Sequence, residues 1–330
     1  MADIDILIVS WNVSELLARC LQSILDQEGA EPPVDGVIRV GDHKMRIHVV
    51  DNASSDDTAD LLRTRFPWVH LIISERNLGF TGGNNLGLAR AHGDYVLLLN
   101  PDTELGPDAI LAMLQPLLRE PRTGIVGPRL TYGDGTPQPS RRRFPTFPMA
   151  LCESTLLELW FPRNRWARAY RMEDVPDNVE QRVDWLTGAC LLTRRIIWDQ
   201  IGLLDDRFFM YSEELDWCKR AAEAGWSCLY VPDAHVVHHE GQSSGQIVAR
   251  RHYLFNTSKV LYWEKHHGSA QARLLRWFLL ATFAIQLVVE SIKWLLGHKR
   301  ELRRERIGAY RWLLATGLRR PTDGIDEVRA

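Results

Sequence analysis

Two rhythms alternate along the first half of the chain. Short apolar runs at 4–10, 46–50, 69–74, 94–99 and 124–130 are separated by stretches whose apolar residues recur at helical spacing. Leu17, Leu21, Ile24 and Leu25 share one face of the first such stretch, with Ser14 placed to cap it. The strand at 46–50 ends in Asp51 and Asn52, and a polar turn at 54–58 leads into a helix at 59–66. Further helices are expected near 82–92, 107–119, 194–201 and 213–224, and further strands at 183–193 and 227–231. This βαβα order predicts an α/β fold, a doubly wound and mostly parallel sheet with helices on both faces. Ligands of such sheets lie beyond the carboxyl ends of the strands. The polar clusters 10–12, 51–52 and 100–102 fall there. Between 131 and 176 the pattern loosens, and loops with a short helix or two, forming a mobile flap, are expected.

The C-terminal quarter reads differently. "WFLLATFAIQLVV", 277–289, carries no charge. A membrane span needs about 20 apolar residues, and runs of about 10–14 are more often buried or interfacial. Extending the segment to 274–296 takes in Arg276, Glu290 and Lys293, while Trp277 and Trp294 near its ends suit a membrane interface. An interfacial or partly inserted helix at about 272–297 is the first reading; a buried core helix and a true span are the alternatives. Residues 298–320 then hold eight Lys/Arg against two Glu. The expected division is a catalytic domain at 1–245 and a helical region with a basic tail at 246–330.

Composition narrows the class. With 45% hydrophobic and 25% charged residues the chain is a folded globular protein. A net charge of −2 gives no overall polycation, so no nucleic-acid partner is expected, and the local basic tail points instead to an anionic membrane surface. The five cysteines are odd in number and form no CxxC pair, as expected of reduced core residues in a cytoplasmic protein. The N-terminus lacks the basic and apolar regions of a signal peptide.

Four stretches carry candidate chemistry. In "VVDNASSDDT", 49–58, Asp51 can accept from a pyrimidine N–H, or the turn is only a helix cap. In "NLGFTGGNNLGL", 77–88, glycines allow close backbone approach, but the G-x-G-x-x-G spacing of a dinucleotide site is missing. In "LLLNPDTEL", 97–105, Asn100 and Asp102 stand two apart, so both oxygens can reach one Mg²⁺ or Mn²⁺ that takes its other ligands from a diphosphate and water. The bland alternative is the polar end of a strand entering a turn. At 205–226, Ser212 can cap a helix whose first turn holds Glu213 and Glu214, and one of these can also serve as a general base.

Taken in order over 4–268, "VSWN", these stretches, "GACLLTRR", "YSEELDWCKRAAEAGW", "VVHHEGQSS" and "YWEKHHG" resemble family 2 glycosyltransferases, more narrowly the bacterial rhamnosyltransferase-like branch. The resemblance implies a GT-A fold, a nucleotide-sugar donor, a divalent metal (Mg²⁺ or Mn²⁺) and inverting displacement. It implies donor-base contacts from Asn12 and Asp51, with Ser10 and Asn52 beside them, and a donor pocket lined by Gly83 and Asn84. The family's D-x-D motif falls on Asn100, Pro101 and Asp102, making Asp102 the principal metal ligand and leaving Asn100 on the donor side. Its late H-x-x-G-x-S falls on His238, Gly241 and Ser243, with His238 near the metal or diphosphate and His239 as the fallback. Its E-D-x-D reads Glu213, Glu214, Leu215 and Asp216, so Glu214 stands where the family has Asp. The base is then Glu214, with Glu213 able to share the role, and Asp216 is structural or on the acceptor side. Trp185 is either an aromatic wall for the donor sugar or plain core. The implied activity is transfer of a sugar, rhamnose from dTDP-rhamnose by the habit of the branch, to a glycan or polyprenyl-linked acceptor in cell-envelope polysaccharide synthesis. The implied place is the cytoplasmic face of the membrane, peripherally bound. A nucleotidyltransferase is the rival enzyme class, although "SWNVSELL" lacks the glycine-rich loop it needs after the first strand. A non-catalytic sugar-nucleotide-binding protein is the other alternative, with Asn100 and Glu214 marking a decayed site.

Overall fold

The computed structural model describes residues 1–239 and 248–319; Gly241 and Ser243 of the late motif, and Arg320 of the basic run, lie outside the described residues. The chain opens as β1 (Asp3–Ser10), α1 (Ser14–Leu25), β2 (Val37–Val40), β3 (His43–Asp51), α2 (Thr58–Arg65), β4 (His70–Ile73), α3 (Gly79–Leu88) and β5 (Tyr95–Leu99). It continues through β6 (Thr103–Leu105), α4 (Ala109–Arg119), β7 (Thr123–Thr131), β8 (Pro137–Gln138) and β9 (Arg141–Arg142). Short helices α5 (Phe147–Cys152), α6 (Leu156–Trp160) and α7 (Arg165–Tyr170) precede β10 (Gln181–Val183), β11 (Trp185–Leu186) and β12 (Cys190–Arg194). Then come α8 (Arg195–Ile201), α9 (Glu213–Glu223), β13 (Ser227–His238), α10 (Val248–His267), α11 (Ser269–Leu295) and α12 (Arg300–Thr316).

The first compact unit comprises Met1–Phe144, Arg171–Phe209 and Glu213–Ser243. Its sheet runs β10-β13-β7-β12-β5-β1-β3-β2, with β4 also on β3 and β6 on β13. β4, β3, β1 and β5 are mutually parallel, the doubly wound half read from the sequence. Beyond β5 the sheet is mixed, because β12 runs antiparallel to both β5 and β7. All five residues of β5 are buried, which is why its apolar run is unbroken rather than alternating. Ile4, Ile6 and Ile8 pack in one core with Leu17, Leu21 and Ile24 of α1 and Met113, Leu114 and Leu117 of α4. On the other face α3 lies so close to β1 that a Cβ on Gly83 would stand 2.6 Å from Val9 Cγ1.

Two expectations change. Ser14 is the first residue of α1, not its cap; Val13 holds the cap position, and the Ser14 N–H donates to Asp56 Oδ2 at 3.1 Å. Asp56 also takes the N–H of Thr58 on Oδ1, so one aspartate from a distant turn closes the starts of two helices. The strand expected at 183–193 is broken into β10, β11 and β12, which pair with β13, β9 and β5 respectively. The break at residues 187–189 turns backbone groups toward the site described below.

The second unit comprises Pro145–Tyr170, Met210–Ser212 and Ser244–Ala330. Here α11 buries Ala272, Leu275, Leu279 and Phe283, and Phe283 stacks on Tyr310 of α12 at 6.1 Å between centroids. Glu290, buried on the same face, pairs with Arg303 of α12 at 2.6 Å and with Lys293 at 3.4 Å. The opposite face exposes Leu274, Trp277, Ile285, Val288, Ile292 and Leu295. α11 is the one described helix that is long and apolar enough to cross a membrane, by length and composition only. All five cysteines are free and buried, as read from their number and spacing.

Candidate active site

Parallel pairing brings the carboxyl ends of β1, β3 and β5 to one edge. Ser10 stands opposite Asp51, and Ile8 opposite Leu99, so residues 10–12, 51–52 and 100–102 line a common rim. Ser10 is fully buried and its Oγ has no hydrogen-bond partner. Asn12 takes a positive φ of 55° and its Oδ1 accepts from the Ser55 N–H at 2.7 Å. Asp51 Oδ1 accepts from the Ser54 N–H at 3.0 Å, so both candidate base contacts also brace the 53–55 turn. The Asn52 amide is spent on the next segment. It donates to Asn77 Oδ1 and the Gly79 carbonyl and accepts from the Leu78 N–H, which fixes the entry of α3. Gly79 there has φ of 73°, and a Cβ on it would lie 2.3 Å from the Phe209 carbonyl oxygen. Gly83 faces Val9, and Asn84 is buried and donates to the Phe80 carbonyl at 2.9 Å. In this geometry both residues of the glycine-rich stretch serve the packing of α3.

Past β5 the chain turns and β6 pairs antiparallel with the end of β13, placing His238 opposite Thr103. This pairing puts His238 Nε2 3.3 Å from Asp102 Oδ1 and 3.3 Å from Asn100 Nδ2. His238 Nδ1 lies 3.0 Å from Gln138 Oε1 on β8. With its proton on Nδ1, facing the Gln138 amide oxygen, the ring presents the Nε2 lone pair toward Asn100 Nδ2 and Asp102. In that tautomer the lone pair and the Asp102 carboxylate are two electron-rich groups in near contact, both almost fully buried. Asn100 Oδ1 beside them is buried with no partner. Asp102, His238 Nε2 and Asn100 Oδ1 could hold a divalent cation, whose charge would relieve that repulsion and satisfy the buried oxygen. Oxygen donors with one imidazole suit Mn²⁺ or Mg²⁺ completed by phosphate and water. No cluster of three or more His, Cys, Asp or Glu side chains fit to hold a metal exists among the described residues, so a protein set of three here would have to include Asn100. His239 takes a different role, its ring Nε2 meeting Glu104 Oε1 at 2.7 Å while its backbone N–H donates to the Asp102 carbonyl.

The carboxylates of α9 reach the same edge through β12. Asn100 N–H donates to the Ala189 carbonyl at 2.9 Å, and the neighbouring Gly188 N–H points at Glu214 Oε1 at 3.4 Å. Glu214 Oε2 and Glu213 Oε2 are both buried without partners. Burial holds the Glu214 carboxyl above the usual carboxylate range, against the pull of backbone N–H groups. Burial, and then the charge of Glu214, push Glu213 well above it. The chain enters α9 through Tyr211 and Ser212 at φ of 70° and 65°, a left-handed turn in place of the extended backbone of an ordinary serine cap. Asp216 is fully buried and pairs with Arg220 at 3.0 Å; Arg220 also donates to the carbonyls of Ile201 and Leu203. Through Arg220 it ties α9 to the 201–203 turn. Trp185 is buried, with its indole N–H donating to the Arg143 carbonyl at 3.0 Å.

The site thus gathers Asn100, Asp102 and His238, with Glu214 linked to them through Gly188 and Ala189. Gln138 was not foreseen. It sits in the irregular stretch after β7, where no period marks a two-residue strand.

Residues 5–202 match the family model described as "Glycosyl transferase family 2". The chain is 35% identical over 256 residues to the N-acetylglucosaminyl-diphospho-decaprenol L-rhamnosyltransferase of Mycobacterium tuberculosis, covering 74% of this chain and 83% of that protein. It is 27% identical over 195 residues to rhamnosyltransferase WbbL of Escherichia coli, covering 56% of this chain and 70% of that one. Among solved structures it resembles the mannosyltransferase PcManGT from Pyrobaculum calidifontis in complex with GDP-Man and Mn²⁺, with a TM-score of 0.53 at 15% identity, over 96% of this chain and 87% of that one. It also resembles GalNAc-T7 with UDP, GalNAc and Mn²⁺, with a TM-score of 0.55 at 15% identity, over 96% and 56% of the two chains. At that identity the likeness establishes the fold alone, which is GT-A.

Proposed function

The chain belongs to glycosyl transferase family 2, and from that premise we propose that it is an inverting rhamnosyltransferase of cell-envelope polysaccharide synthesis. In this reading rhamnose moves from dTDP-rhamnose to a hydroxyl of a polyprenyl-linked glycan. Support for the sugar and the lipid comes from the two relatives, one named for L-rhamnosyl transfer to a diphospho-decaprenol and the other a rhamnosyltransferase. The observation that carries the chemistry is the cradle of Asn100, Asp102 and His238 joined by Ala189 and Gly188 to the carboxyl of Glu214, whose Oε2 is buried without a partner.

Glu214 takes the proton of the acceptor hydroxyl as that oxygen bonds to the anomeric carbon. The bond from that carbon to the diphosphate oxygen breaks on the opposite face, its electron pair leaves with the nucleoside diphosphate, and the configuration inverts. A divalent Mg²⁺ or Mn²⁺ held by Asp102, His238 and Asn100 supplies positive charge against the leaving diphosphate. Asn12 and Asp51 receive the base, with Ser10 and Asn52 shaping that rim. Trp185, buried three residues before Gly188, is read as backing the sugar pocket. Catalysis then rests on alignment and on charge placed where it develops. Localisation follows from the lipid acceptor: the exposed apolar face of α11, with basic residues after it, holds the enzyme peripherally on the cytoplasmic leaflet.

Nucleoside diphosphate release with a short-chain polyprenyl-diphosphate glycan tests the assignment. Glu214→Gln should lower kcat by about 10²–10⁴ with donor binding kept. Asp102→Ala should abolish the Mn²⁺-dependent thermal shift produced by the donor. Equal release by wild type and both variants would sink the catalytic reading and favour a binding protein.

A further inference from the structure

Leu159, Trp160 and Phe161, at the end of α6, are 71%, 64% and 62% exposed. Three consecutive large apolar side chains in water call for a partner. Arg163 and Arg165 follow at once, both exposed, and Arg165 lies over the ring of the half-exposed Trp166 at 4.8 Å. The projection is held in shape. Thr155 caps α6 by accepting the Leu157 N–H at 3.2 Å, and Glu158 accepts the Ser154 N–H at 2.8 Å. On the far side Asn164 donates to the Phe161 carbonyl at 2.9 Å and accepts the Ala167 N–H at 2.8 Å. Pro162 bars the helix from continuing through the tip. The aromatics are therefore exposed on a preformed loop, whose binding needs little further ordering.

We propose that the loop from Leu159 to Arg165 is a membrane-insertion element, with Trp160 and Phe161 entering the headgroup–acyl boundary of an anionic bilayer and Arg163 and Arg165 meeting its phosphates. The occupant is a lipid surface because apolar tip and cationic shoulder follow one another within seven residues, the order in which a bilayer presents its acyl boundary and anionic headgroups. The element is separate in sequence from the apolar helix α11, so its variants leave that helix unchanged. It rests on the proposed lipid-linked acceptor only for its purpose, not for its test.

Flotation of the full chain with vesicles, without donor or acceptor, reads it directly. Wild type should bind phosphatidylcholine vesicles containing 30% phosphatidylglycerol. Trp160→Glu with Phe161→Glu should lower that partition about 10-fold or more. Arg163→Glu with Arg165→Glu should remove most of the preference for phosphatidylglycerol, on the order of 10-fold, and leave binding to pure phosphatidylcholine. Brominated lipid should quench wild-type tryptophan emission more than that of Trp160→Phe, a variant without added charge. Unchanged partition in both charge variants overturns the proposal. So does a wild type that binds neither vesicle, or a Trp160→Glu, Phe161→Glu chain whose oligomeric state changes without lipid, which would mark a protein interface. Sugar transfer to the short-chain acceptor is assayed on the same proteins, so loss of transfer with intact vesicle binding counts against the proposed function alone.

Discussion

Two buried carboxyls stand side by side at the head of α9, and their protonation sets measurable limits at the residue scale. Burial raises both above their ordinary value of 4.5, Glu213 further through the charge of Glu214. A raised folded-state value means the folded chain keeps protons that the unfolded chain has released. The pair's contribution to stability is therefore whole below 4.5 and lost as pH rises through the folded values. Glu213→Gln removes that loss. Its urea midpoint should exceed wild type at pH 8, by about 1 kcal/mol in stability, and converge with wild type at pH 4. The same burial makes Glu214 a stronger base, so the acid limb of the kcat profile should lie above the ordinary carboxylate range; a limb at pH 4 or lower rejects the assignment. Asp5 shows the opposite case. Burial acts to raise its value, but bonds from His48 and the backbone of Gly93 and His92, with Arg46 nearby, bring it down to about 2. Its contribution is present above pH 3.8 and lost as pH falls toward 2, a difference of about 2 kcal/mol. Asp5→Asn should lower stability at pH 7 by about that much and flatten acid denaturation followed by circular dichroism.

At the scale of elements, the contact of α3 with β1 invites a direct test. Gly83→Ala would push a methyl against Val9 Cγ1 at 2.6 Å, and Val9→Ala removes that obstacle. The single Gly83→Ala change should cost about 1–3 kcal/mol by chemical denaturation, and Val9→Ala added to it should return part of the loss rather than add its own. Additive losses would show that the helix moves aside instead. The glycine-rich stretch was legible as a place of close approach, although the approach found is that of helix to strand. The parallel strands and their polar ends were legible because buried runs and turn residues mark them locally. The union of His238 with Asp102 was not: it depends on β6 pairing with β13 across 135 residues, counting Thr103 to His238, and three residues of β6 carry no periodic signal. The family resemblance supplied that pairing of roles where local pattern was silent. The broken strand at 187–189 was missed for a related reason, since Gly188 and Ala189 differ little from strand residues until Asn100 and Glu214 take their backbone groups.

For the molecule as a whole, a net charge of −2 gives no general attraction to an anionic surface, so the proposed membrane binding would have to come from local features. In α11, Leu274, Trp277, Ala281, Ile285, Val288, Ile292 and Leu295 recur every three or four residues on the exposed face, a stripe about 30 Å long at the rise of an α-helix. The other face is committed to α12 through Phe283 and the Glu290–Arg303 pair, and a buried ion pair there is costly to strand in lipid. That arrangement favours a helix lying in the interface over one that crosses it. Alkaline carbonate should therefore release the full chain from membranes, whereas retention in the pellet would establish a span. Val288→Glu with Ile292→Glu, both on the exposed face, should move most of the protein to the soluble fraction at low salt without changing its melting temperature by more than a few degrees. Raising salt to 0.5 M, where exposed charges are screened over about 4–5 Å, should weaken binding of wild type only in part, because the apolar stripe is indifferent to screening. Complete release by salt alone would assign the attachment to the basic residues and leave the stripe without a role.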